Sequence, residues 1–196
     1  MNSPYILVLF SSKTGSTHNL ARSIARGVNA CRGIEARLRT VPDLEGENPE
    51  SAVAYATVAD LAGASGLALG SPTHFGNMGS SLQAFLEKTT GLWFKGGLVN
   101  KPLAVFTSSS SMHGGQETTL INMMTPFLHH GMVVVGLPYT LDGLSHTKGG
   151  GTPYGASHVS RADLDAAGEE QEHRFAMAQG KRLAQVALLL SQYQED

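Results

Sequence analysis

Short apolar runs alternate along the chain with stretches in which apolar positions recur every three or four residues. The first run, Tyr5-Ile-Leu-Val-Leu-Phe10, has no polar alternation, the pattern of a strand buried on both faces of a parallel sheet. Four more segments read as strands: the half-alternating stretch 34–41, Gly66-Leu-Ala-Leu-Gly70, Leu103-Ala-Val-Phe106 and the β-branched Met132-Val-Val-Val135. Over 17–30, Leu20, Ile24 and Val28 form one stripe with Arg22 and Arg26 opposite, and Gly33 is placed to end that helix. A second helix is expected over 78–89, with Leu82, Phe85 and Leu86 on one face. A third is expected over 116–130, with Leu120, Met123, Phe127 and Leu128 on one face and a kink at Pro126. A closing helix over about 163–192 aligns Ala176, Leu183, Ala187 and Leu190 behind a charged first turn.

Strand followed by helix, repeated, implies an α/β three-layer fold: a five-stranded, mainly parallel sheet with right-handed crossovers and helices on both faces. At 196 residues the chain reads as a single domain. Inserts are expected near 91–100 and 141–160, and the acidic stretch 43–55 reads as a loose connection. Such sheets bind ligands beyond the carboxyl ends of their strands, so the chemistry belongs in the strand-to-helix loops.

Composition narrows the classes. Fourteen basic and sixteen acidic residues give a net charge of −2, which leaves no basic stripe to neutralise nucleic-acid phosphates. No apolar run approaches the ~20 residues that span a bilayer, and the start lacks the pattern of a secretory signal; no membrane insertion is expected. The lone Cys31 cannot form an internal disulfide, which fits a reducing cytoplasm. None of the eight histidines has H-E-x-x-H spacing or a cysteine cluster beside it, so no metal is expected.

The first strand runs into Ser12-Lys13-Thr14-Gly15-Ser16-Thr17 and then a helix. Hydroxyls and free N–H groups at a helix N-terminus favour a phosphate without arginine, although the same residues also serve as an ordinary helix cap. Neither a G-x-G-x-x-G fingerprint nor a Walker loop occurs in the chain. After the third strand, Pro72 stiffens a loop in which Thr73, Phe75 and Asn77 offer backbone donors and an aromatic edge. After the fourth, Ser108, Ser109, Ser110, Ser111, Met112, His113 and Gly114 give hydroxyls and a close backbone approach. This Met-His-Gly-Gly run is also similar to a hydrolase oxyanion loop, but no G-x-S-x-G elbow accompanies it.

The S-x-T-G-x-T pattern after a first strand is similar to the phosphate loop of the flavodoxin-like fold, which holds the monophosphate of FMN. Further blocks resemble the WrbA-type NAD(P)H:quinone oxidoreductases: residues 71–78, Gly91-Leu-Trp93 with Gly96-Gly97, 106–117, His129-His130-Gly131-Met132 and 150–156. The resemblance implies a flavodoxin-like sheet of order 2-1-3-4-5, FMN as cofactor, NADH or NADPH as donor and a quinone as acceptor. It further implies ping-pong transfer of two electrons through flavin N5, so that no protein side chain is the catalyst, and a homotetramer. It implies that residues 12–17, Pro72, Thr73, His74, Phe75, Asn77 and 108–114 wrap the flavin. By the same resemblance His129 faces the ring, while Trp93, Phe75, His74 and Tyr154 line the substrate pocket. His130 is expected to pack or cap. Thr14 stands where many of these proteins have tyrosine, His74 where they have arginine, and the segment around 43–51 is shorter, so the choice between NADH and NADPH stays open. A flavodoxin-type electron carrier and an FMN-binding regulatory module are the alternatives.

Overall fold

The computed structural model describes residues 3–44, 52–160 and 166–192. Its frame is a parallel sheet. β1 (Tyr5–Phe10) lies between β2 (Glu35–Thr40) and β3 (Gly66–Pro72), and β3 pairs with β4 (Pro102–Ser109). On the far side of β4, β5 (Val133–Val134) pairs with Pro102 and Leu103, while β6 (Gly155–Val159) pairs with Val105 to Ser109. The order β2-β1-β3-β4-β5 is the expected one. The sixth strand is a correction to the expected five: β5 and β6 share one edge position, and the chain between them leaves the sheet and returns.

The unbroken apolar run of β1 follows from burial on both faces. Ile6, Val8 and Phe10 join a core with Leu20, Ile24, Val28 and Leu183, whereas Leu7 and Leu9 join another with Leu61, Leu82, Phe85, Leu120 and Phe127. The first core lies under α1 (Ser16–Asn29) and α6 (Ala166–Ser191). The second lies under α2 (Val58–Ala62), α3 (Ser80–Glu87), α4 (Thr90–Phe94) and α5 (Gln116–His129). α1 and α6 cross closely: a Cβ on Gly27 would sit 2.0 Å from the Met177 carbonyl oxygen, and one on Gly180 2.1 Å from that of Ile24.

Several expected boundaries move. The helix expected over 78–89 is α3 alone, and part of the expected insert 91–100 is α4, joined to α3 through Thr89. α2 has no apolar stripe long enough to announce it; a capping box, with Thr57 and Asp60 bonding each other's backbone N–H, starts it. The last part of the expected insert 141–160 is β6, whose Gly-Ala-Ser-His-Val reads as a loop because its apolar neighbours come from α6 and β4. α1 stops at Asn29, and Gly33 serves the turn into β2 with φ +86°. Pro126 sits inside α5. Most of the acidic stretch 43–55 lies outside the described residues, as does the start of the expected closing helix. Among the described residues no helix is long and apolar enough to cross a membrane.

Candidate functional site

Because every pairing in the sheet is parallel, the loops after β1, β3 and β4 and the end of β6 gather at its carboxyl edge. The first opens α1 at Gly15, which adopts φ +95° and supplies no side-chain cap. Ser12 Oγ accepts from Gly15 N at 3.1 Å and His18 N at 3.3 Å, curling the loop over the helix end. The N–H groups of Lys13, Thr14, Ser16 and Thr17 have no partner among the described residues, so four donors and the helix dipole converge there. Thr17 Oγ1 meets Ser108 Oγ at 2.8 Å, and Ser16 Oγ meets Ser160 Oγ at 2.9 Å, tying the loop to β4 and to the end of β6. Behind it, His18 stacks on Phe10 with ring centroids 5.0 Å apart. Burial, and after it the Arg22 charge, hold His18 protonation below the ordinary imidazole range.

The β3–α3 loop is a tight turn. His74 and Asn77 exchange backbone hydrogen bonds of 2.9 and 3.0 Å, with Phe75 at φ +54° and Gly76 at φ +75° between them. Thr73 N donates to the Ser108 carbonyl at 2.8 Å, and Thr73 Oγ1 donates to that of Gly115 at 3.1 Å and also contacts Thr119 Oγ1. Asn122 Nδ2 donates to the Gly76 carbonyl at 2.9 Å. The turn is thus clamped to β4 and α5 while its tip presents Phe75 fully exposed.

In the β4–α5 loop, Ser109 Oγ and Gln116 Nε2 both donate to the Ser111 carbonyl, at 2.9 and 3.1 Å. His113 takes φ +56° and Gly115 φ +98°, and the N–H groups of Met112, His113, Gly114 and Gly115 are unpaired among the described residues. A second row of donors therefore faces the same edge. A cavity of about 190 Å³ lies beside the first loop, lined by Ser12, Lys13, Asp43, Pro72, His74 and Ser80 among others.

The structure brings residues 12–17, 72–77 and 108–115 together, but not Trp93 and His129. α5 starts at the carboxyl edge and runs 14 residues, about 21 Å, back along the sheet, so His129 ends at the amino edge, just before β5. Trp93 is there too, its Nε1 donating to the His129 carbonyl at 2.8 Å. Within one chain both therefore lie at the edge opposite the loop 12–17. Together with Leu86, Thr89, Pro126 and His130 they line a cavity of about 370 Å³. Tyr154 is exposed in the turn before β6, its N–H on Thr152 Oγ1 at 3.2 Å. Residues the sequence did not single out are Ser160, Gln116 and the buried Glu172. Glu172 accepts from Gly150 N, from Val159 N at 3.2 Å and from His158 Nδ1 at 2.5 Å. A lone glutamate within a helical charge pattern gave no sign of that role.

A parallel 2-1-3-4-5 sheet whose first loop presents bare donors at a helix start defines a flavodoxin-like fold. The chain belongs to the NADPH-dependent FMN reductase family, whose model matches residues 4–146. It is 40% identical over 200 residues to the "NAD(P)H dehydrogenase (quinone)" of Geobacter sulfurreducens, covering 95% of this chain and 98% of that protein. To the protein of the same name from Geobacter metallireducens it is 41% identical over 199 residues, covering 94% and 98%. Among solved structures, the WrbA-like flavodoxin of Agrobacterium tumefaciens matches with a TM-score of 0.66 at 22% identity over 96% of this chain and 99% of that one. An archaeal flavodoxin matches with a TM-score of 0.63 at 17% identity, over 94% and 99%.

Proposed function

We propose that the protein is an FMN-dependent NAD(P)H:quinone oxidoreductase. The observation that carries this reading is the double row of backbone donors unpaired among the described residues, Lys13, Thr14, Ser16 and Thr17 in one and Met112 to Gly115 in the other, on either side of the clamped turn that exposes Phe75. The first row, with the hydroxyls of Ser12, Thr14, Ser16 and Thr17, fits a phosphomonoester, and the loop dipoles supply the positive field that arginine would otherwise provide. The second row, with Ser108 to Gly114, fits the polar edge of a flat heterocycle, and Thr73, Phe75 and Asn77 its opposite side. When bound there, FMN supplies hydride acceptance at N5 and return of two electrons to the acceptor.

The protein's part is positioning and electrostatics. Pro72 and the His74–Asn77 turn hold Phe75 as a fixed wall, against which a nicotinamide and then a quinone stack in turn. His74 and Lys13 flank the cavity beside the phosphate loop and face the charged portion of the donor; Tyr154 is a further wall of the pocket.

Trp93 and His129 serve the same site from another copy of the chain. Since they lie at the amino edge, they reach a ring at the carboxyl edge only across a subunit contact, and the assembly is a homotetramer in which Trp93 of one copy covers the ring of the next. Steady-state rates with varied NADH and benzoquinone test the mechanism: parallel double-reciprocal lines are expected, and intersecting lines contradict ping-pong transfer. Sedimentation velocity tests the assembly, with a monomer at micromolar concentration contradicting it.

A further inference from the structure

The corner around Trp93 is closed by a residue that the proposed chemistry does not use. His130 is buried, and its Nε2 lies 3.0 Å from Thr89 Oγ1. Thr89 is buried as well, and its hydroxyl donates its single proton to the Leu86 carbonyl at 2.7 Å. The Thr89 oxygen is therefore left as an acceptor, and His130 must carry its proton on Nε2. Its Nδ1 is a buried lone pair without a partner among the described residues. The chain of contacts then runs on: the Thr89 carbonyl accepts Leu92 N at 2.8 Å and Trp93 N at 2.9 Å, which starts α4, and Trp93 Nε1 returns to the carbonyl of His129 at 2.8 Å. His130, Thr89, Trp93 and His129 form a closed circuit between the end of α5 and the α3–α4 corner.

We propose that His130 is the positioning residue of this corner: as a neutral imidazole protonated on Nε2 it holds Thr89, and through Thr89 the attitude of Trp93, and protonation of His130 releases the ring. A second proton would sit on Nδ1, where the buried surroundings offer no acceptor, so the imidazolium is accommodated only by leaving its place. Of the residues lining the corner from α3, α4 and α5, His129 and His130 alone carry ionisable side chains. Burial, and after it the His129 charge, keep His130 neutral to below the ordinary imidazole range, in line with the geometry. The flat contact with Phe127, ring centroids 5.7 Å apart, holds the neutral ring from the other side.

Trp93 is the single tryptophan, so tryptophan-selective emission of the full-length protein as purified, recorded with the flavin absorbance so that any loss of bound flavin is seen separately, reports this corner. Titrated from about pH 8 to 4.5, it is expected to show one step with a midpoint below the ordinary imidazole range. His130→Gln, whose amide still donates to Thr89 but does not titrate, is expected to keep the neutral emission and lose the step; His129→Gln is expected to keep the step. Thr89→Val, which cuts the circuit without touching a histidine, is expected to show the low-pH emission at every pH. A step that survives in His130→Gln, one that vanishes in His129→Gln, or a wild type with no step while its circular dichroism stays native overturns the proposal. A second readout rests on the function proposed above: in the wild type alone, KM for benzoquinone rises as the corner opens while kcat holds. Failure of NADH and NADPH to reduce the flavin would remove that function and leave the emission step as the judge of His130.

Discussion

Thr17 and Ser108 share one hydrogen bond at 2.8 Å where α1 begins, and that bond joins the phosphate loop to the strand carrying the second donor row. Thr17→Val keeps the shape and strands the buried Ser108 hydroxyl, which costs about 1 to 2 kcal/mol. A urea unfolding curve should show that loss, and a flavin-fluorescence titration should show weaker FMN binding; unchanged FMN affinity would detach this residue from the site. His18 gives a pH dependence whose sign is fixed. Its native protonation lies below the ordinary value of 6.5, so between the two values the unfolded chain binds more protons, and stability falls as pH drops through that window. His18→Phe keeps the ring stacked on Phe10 and removes the titration, so the fall in urea midpoint between about pH 7 and 5 should be shallower than in wild type. An equal slope would assign the acid sensitivity elsewhere, His130 being the next candidate.

At the scale of elements, the α1–α6 crossing and the Glu172 link decide whether the edge is built. Gly27 leaves 2.0 Å between a Cβ and the Met177 carbonyl oxygen, and Gly27→Val forces the helices apart at a cost of about 1 to 3 kcal/mol or more, read as a lower denaturation midpoint. Glu172→Ala leaves two backbone N–H groups and His158 without their acceptor and is expected to cost about 3 to 5 kcal/mol; thermal unfolding measures it, and a loss under about 1 kcal/mol would mean β6 is held by its pairing with β4 alone. These elements also mark where sequence reading stops. β1 was legible because burial on both faces writes an unbroken apolar run, and α1 because its stripe faces one core. β6 was not, since Gly155, Ser157 and His158 owe their strand conformation to β4 and to polar side chains of α6. α4 was hidden for a related reason: its start depends on the Thr89 carbonyl and a histidine 41 positions away, a contact no local pattern encodes.

The proposed function uses two edges of the molecule. The loop 12–17 and the turns at 72–77 and 108–115 were readable as one cluster because parallel topology sends every such loop to one edge. The edge reached by Trp93 and His129 was not readable, because it follows from the length and direction of α5, which place His129 about 21 Å back along the sheet, and from the bond of Trp93 to the His129 carbonyl. A site assembled from opposite edges of different copies therefore reconciles the fold with the proposed activity. The measurement that tests that activity most directly is an anaerobic absorbance titration of the FMN-loaded protein with NADH and NADPH, followed by a pulse of benzoquinone. The account predicts that at least one donor bleaches the flavin band and that the quinone restores it at once. A flavin that binds but is bleached by neither donor would contradict it and leave an electron carrier in its place.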